Sequence, residues 1–123
     1  NIKVYVDYAH TPDALLKALK FLKNKYRNNI SLVFGCGGDR DKKKRSIMAK
    51  IANDNCSKIY ITDDNPRNES PKKIRNHLAK FINKKKAFNI IYKLCYFIIK
   101  TVQIIFSIFH DITFLPLQKD ILR

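Results

Sequence analysis

Along the first two thirds of the chain the apolar residues follow two patterns in alternation: short, mostly apolar runs at 2–6, 31–34 and 58–62, and longer stretches where they recur every three or four positions. A short apolar run rich in Ile and Val and bounded by polar residues predicts a buried strand. The wider spacing predicts helices that bury one face. Leu15, Leu19 and Leu22 define one such helix, starting at Thr11 or Pro12 and ending near Tyr26, with a turn at Asn28 and Asn29 after it. Ile47, Ile51 and Ala52 define a second over about 46–55, and Ile74, Leu78 and Phe81 a third, from Ser70 and Pro71 to about Ile82. Thr11-Pro12 and Ser70-Pro71 are start signals, because a hydroxyl can cap orphan amides and proline at the first helical position loses no hydrogen bond. Polar loops fill 35–44 and 63–68.

Strand, helix, strand, helix, strand, helix with short connections predicts an α/β class: a parallel sheet covered by helices, with ligands gathering at the carboxyl ends of the strands. Beyond residue 83 the character changes. Lys84, Lys85 and Lys86 lead into a long apolar stretch at 87–117 with no alternation, so residues 1–83 are expected to form the domain and 84–123 a divergent apolar tail, helical or irregular. Its densest part, 94–109, contains Lys100 and Gln103. A membrane span needs about 20 mainly apolar residues and tolerates a central lysine poorly, so a span is not the favoured reading. No repeat is visible. The chain opens on Asn1 with an apolar run immediately behind it, as expected of a piece cut from something longer.

The net charge of +15 raises nucleic acid or an anionic membrane surface as partners. Most of that excess is lysine spread along the chain, with no groove-reading or base-stacking motif, so no nucleic-acid partner is expected. Cys36, Cys56 and Cys95 are odd in number and far apart, and none has a histidine at a metal-ligand spacing. Neither a disulfide framework nor a zinc site follows, and a cytoplasmic, reducing environment fits best. His77 and His110 are read as surface or packing residues.

Three polar clusters fall at the predicted strand ends. The first, Asp7-Tyr8-Ala9-His10-Thr11-Pro12-Asp13, offers a carboxylate and an imidazole suited to a nucleotide, or simply a polar loop satisfying its own backbone. The second runs from Gly35 through Gly37, Gly38, Asp39 and Arg40 to Arg45 and holds all 3 glycines of the chain, so positive φ or a close approach by a ligand is expected there. It is neither a P-loop nor a dinucleotide fingerprint. Arg40 is its strongest candidate, since a planar guanidinium can hold a carboxylate through two hydrogen bonds, while the neighbouring lysines read as solvated charge. The third is Thr62-Asp63-Asp64-Asn65-Pro66-Arg67. Asp64 can pair with an ammonium, Asn65 can donate and accept, Pro66 stiffens the loop and Arg67 offers a second carboxylate fork, a set suited to an amino acid. The plainer alternative is an Asp-Asn-Pro turn with Arg67 at the surface.

In this order and spacing, VDYAHTPDAL at 6–15, VFGCGGDRD at 33–41 followed by Lys44-Arg45, and TDDNPR at 62–67 resemble the Mur ligase family, in the C-terminal domain of the branch that uses meso-diaminopimelate. The resemblance implies a Rossmann-like domain closing over a central ATPase domain. It assigns Asp7, Tyr8 and His10 to the nucleotide side of the cleft, and Arg40 with Asp64, Asn65, Pro66 and Arg67 to a diaminopimelate pocket. An arginine after Asn-Pro would meet the carboxylate that lysine lacks.

The implied reaction passes the γ-phosphate of ATP, with Mg²⁺, to a D-glutamyl carboxylate of a UDP-N-acetylmuramoyl dipeptide. The diaminopimelate amine then attacks the acyl phosphate, releasing phosphate and forming the amide. This chain shows no phosphate-cradling loop, so it is expected to be inactive alone, its arginines contributing proximity to the nucleophile. Family members continue to a further strand and a Gly-Lys-Gly-His-Glu loop, which is missing after Asn83, where the sequence instead resembles out-of-frame translation of AT-rich DNA. Two readings follow: a piece of a cytoplasmic cell-wall ligase, or a non-catalytic basic module that binds anionic surfaces or membrane through its lysines and apolar tail.

Overall fold

The computed structural model describes residues 3–27, 30–89, 103–107 and 113–116. Strand β1 (Lys3–Asp7) leads into helix α1 (Pro12–Tyr26), β2 (Ile30–Phe34), α2 (Lys42–Asn55), β3 (Lys58–Ile61), α3 (Pro71–Ala79) and three further strands, β4 (Ala87–Asn89), β5 (Gln103–Ser107) and β6 (Thr113–Pro116). They form one sheet in the order β4-β3-β2-β5-β1-β6. β4 is parallel to β3, β3 to β2 and β6 to β1, whereas β5 runs antiparallel to both β1 and β2. All strands but β5 therefore point the same way, and the loops leaving β1, β2 and β3 emerge at one edge of the sheet. From β1 to β4 the parallel strands step in one direction across the sheet, and α1 packs against α2 and α2 against α3.

The alternation of run and spacing has a direct cause in the core. Leu15, Leu19 and Leu22 of α1 and Ile30, Leu32 and Phe34 of β2 are each 0% exposed, as are Ile59 and Ile61 of β3. β2 is buried along its whole length, which is why it reads as an apolar run broken only by the small Ser31 and not as alternation. Thr11 caps α1 through Oγ1, which accepts from the Ala14 amide at 3.3 Å.

Several expectations are corrected. α2 begins at Lys42, within the expected loop, because the Asp41 carboxylate accepts from the Lys43 amide at 2.8 Å and lysines are good helix formers. Ala52 is buried and Ile51 packs against the core as expected, but Ile47 is 47% exposed, and Arg45, Met48 and Ala49 join the buried face. α3 stops at Ala79, and the amides of Phe81 and Ile82 bond three residues back in a tightened turn. Of the tail's described residues, 84–86 form a turn and 87–89, 103–107 and 113–116 are strands, where helix or irregular chain was expected. β5 has a strand on each side, and a strand so enclosed carries no alternation from which to read it. The turn at Asn28 and Asn29, His110, Cys95 and most of the apolar stretch at 94–109 lie outside the described residues. Among the described residues no helix is long and apolar enough to cross a membrane.

Candidate functional site

The three loops at the carboxyl edge of the sheet enclose a cleft of about 680 Å³. Tyr8 and His10 line it from the first loop, residues 35–37, Asp39, Arg40 and Asp41 from the second, and Asp64, Asn65 and Arg67 from the third. Lys44, Arg45 and Met48 of α2 complete the wall. Six of the eight residues singled out by sequence are thus gathered in one place. Asp7 and Pro66 are not among the lining residues. Asp7 is partly buried at the end of β1, where loss of solvation raises its carboxyl pKa against the pull of an Ala9 backbone hydrogen bond.

In the first loop His10 Nδ1 donates to the Tyr8 carbonyl oxygen at 3.0 Å, and the two rings lie 4.8 Å apart at a tilt of 55°. Tyr8 is 64% exposed, an apolar face turned outward at the rim. In the third loop Asp64 Oδ1 accepts from the Asn65 amide at 2.7 Å and Asn65 Oδ1 from the Arg67 amide at 3.1 Å. These are the local turn bonds of the plainer alternative, and each uses one oxygen of its side chain. Arg67 has φ 49°, unusual for a residue with a β-carbon. Arg40 and Arg67 are exposed, and neither guanidinium has an anionic partner among the described residues.

The second and third loops are bonded to each other. The Gly38 amide donates to the Asn65 carbonyl at 2.8 Å, and Asp39 Oδ2 accepts from the Asn68 amide at 3.2 Å and from its side-chain nitrogen at 2.9 Å. Positive φ, one of the two alternatives expected for this loop, falls on Asp39, at 50°, and on none of the glycines. The glycines serve loop-to-loop contact: a β-carbon on Gly35 would stand 2.6 Å from the Thr62 carbonyl oxygen. Below them Arg45, 3% exposed, sends Nη1 to Glu69 Oε2 at 2.9 Å and Nη2 to Glu69 Oε1 at 2.6 Å and the Gly37 carbonyl at 2.9 Å. Glu69 Oε1 also accepts from the Asp39 amide at 2.7 Å. The bonds from Arg45, joined by that from Asp39, hold the Glu69 carboxyl down at about 2. Burial pushes the Cys36 thiol beside Arg45 up to about 12. Sequence reasoning quoted Arg45 within the motif without giving it a role, and it missed Glu69. Arg45 sits in a run of cations and Glu69 in a run of polar residues, and only their apposition distinguishes them.

Residues 1–103 match the family described as Mur ligase, glutamate ligase domain. The chain belongs to the Mur ligase family. Over 86 residues it is 58% identical to the UDP-N-acetylmuramoyl-L-alanyl-D-glutamate--2,6-diaminopimelate ligase of Rickettsia conorii, covering 68% of this chain and 18% of that protein. The ligase of the same name from Buchnera aphidicola is 47% identical over 89 residues, 72% of this chain and 18% of the relative. A solved structure titled as the same ligase superposes with a TM-score of 0.68 at 35% identity, over 93% of this chain and 23% of the other. This Mur ligase domain thus spans 18% of the length of the two curated relatives and 23% of the solved chain, and the α/β fold of the shared part is the same.

Proposed function

We propose that this chain is part of an ADP-forming amide ligase that adds meso-diaminopimelate to UDP-N-acetylmuramoyl-L-alanyl-D-glutamate in cytoplasmic peptidoglycan synthesis, and that its cleft holds the incoming diaminopimelate. The observation that carries the reading is that Arg40 and Arg67, whose guanidinium groups have no anionic partner among the described residues, line one cleft together with Asp64. Two carboxylates and an ammonium are the complement of that set. Asp64 and Asn65 would take the ammonium end, with Pro66 stiffening their loop, and Arg40 and Arg67 one carboxylate each. Asp7, Tyr8 and His10 would face the nucleotide, the Tyr8 ring offering a stacking surface.

The chemistry asked of these residues is placement. The diaminopimelate amine must meet an acyl phosphate made elsewhere from ATP, and holding the molecule by its two carboxylates and its other ammonium turns that encounter into an intramolecular one. Among the described residues no three His, Cys, Asp or Glu side chains gather as a metal site, so this domain's own groups are not assigned to Mg²⁺. The chain alone is expected to bind without catalysing. Calorimetry of the chain with meso-diaminopimelate, against lysine as control, tests the reading. Arg67→Ala should weaken diaminopimelate binding by about tenfold or more while leaving lysine nearly unaffected. Equal affinity for the two amino acids, or no change in Arg67→Ala, would overturn it.

A further inference from the structure

We propose that Arg45 and Glu69 are a positioning pair, whose ion pair locks the second and third loops together and thereby sets the spacing of Arg40 and Arg67. The inference rests on the diaminopimelate reading for its ligand, though not for its geometry. Each residue stands close in the chain to one of the cleft arginines: Arg45 five positions after Arg40, Glu69 two after Arg67. Arg45 is already spent on two carboxylate bonds and one carbonyl bond, so it is not a third free cation for a ligand.

The pair also acts on the backbone beside the arginines. Asp39 and Arg67 both occupy left-handed backbone, a conformation that costs a residue with a β-carbon about 1 kcal/mol or more and persists only where the surroundings hold it. Asp39 is held through its amide, which donates to the Glu69 Oε1 that Arg45 also grips. Released, Asp39 would relax and carry Arg40 with it. A separate contact, from Asn68 to the Asp39 carboxylate, ties the same two loops at the rim. The Arg45 contact lies beneath it and is the buried one, with the two side chains 3% and 21% exposed.

Glu69→Gln separates positioning from simple electrostatics. Removing a negative charge beside the cleft should tighten binding of a ligand with two carboxylates if charge alone matters; loosening the pair should weaken it. The inference expects diaminopimelate affinity to fall about tenfold with a smaller ratio over lysine, and Arg45→Lys, which keeps the charge and loses the fork, to do the same. Amide exchange followed by NMR on the full chain reads the geometry without ligand. Protection at Gly38 and Asp39 should drop in Glu69→Gln while that of α1 stays, whereas a merely structural loss would lower both together. Unchanged exchange at Asp39, uniform loss throughout, or equal or tighter diaminopimelate binding by Glu69→Gln would overturn the inference. If the unsubstituted chain bound no diaminopimelate yet Asp39 lost protection selectively, the ligand reading would fall and the loop lock would stand.

Discussion

Gly38 lies so close to Pro66 that a β-carbon on it would sit 1.7 Å from the Pro66 carbonyl oxygen. The two loops that carry the cleft arginines meet at this point, backbone against backbone. At Gly37, one residue away, the nearest atom to such a β-carbon is 3.5 Å off, an ordinary contact. Gly38→Ala should therefore force the loops apart at a cost of about 2 kcal/mol or more, and Gly37→Ala should stay within about 0.5 kcal/mol. Urea denaturation of the two variants checks the contrast.

The two proline-led helices differ at their caps. Thr11 accepts from Ala14, whereas Ser70 makes no side-chain cap bond. Thr11→Ala should cost about 1 kcal/mol, and Ser70→Ala clearly less. Thermal melts compared at equal pH distinguish them.

Glu69 gives the domain a pH dependence of known sign. Its folded value of about 2 lies below the ordinary 4.5, so the stability it contributes is complete above about pH 4.5 and is lost as pH falls through about 2. The stability difference between the unsubstituted chain and Glu69→Gln should be constant from pH 7 to pH 5 and vanish near pH 2. A difference that persisted undiminished at pH 2 would show that the charge on Glu69 is not what the loops depend on.

Burial also pushes the Cys56 thiol to about 12, like that of Cys36. At pH 8 roughly one in ten thousand of either thiol would be thiolate. Alkylation at 36 and 56, followed by mass spectrometry, should be slow until denaturant opens the core, then rise steeply.

β5 joins β1 to β2, and β1 reaches the rest of the sheet through it. A chain ending at residue 89 would leave two apolar strands with open edges. Such a piece should lose cooperative unfolding and associate, seen by circular dichroism and gel filtration. A monomeric, cooperatively melting piece would mean that the first four strands close without it.

Local pattern determined a good deal. Leu15, Leu19 and Leu22 at helical spacing, the apolar run of β2 and the Thr11-Pro12 start required no tertiary information, because periodicity and caps are properties of neighbouring residues. Strand-end placement likewise marked Tyr8, His10, Arg40, Asp64, Asn65 and Arg67 as residues facing one edge. Tertiary structure decided the rest: that β5 enters between β1 and β2, that Ile47 faces out while Arg45 turns in, and that Arg45 finds Glu69 24 positions along the chain. A strand's partner and a buried charge's counterion are set by which chain segments meet, and no residue's own neighbours encode that meeting.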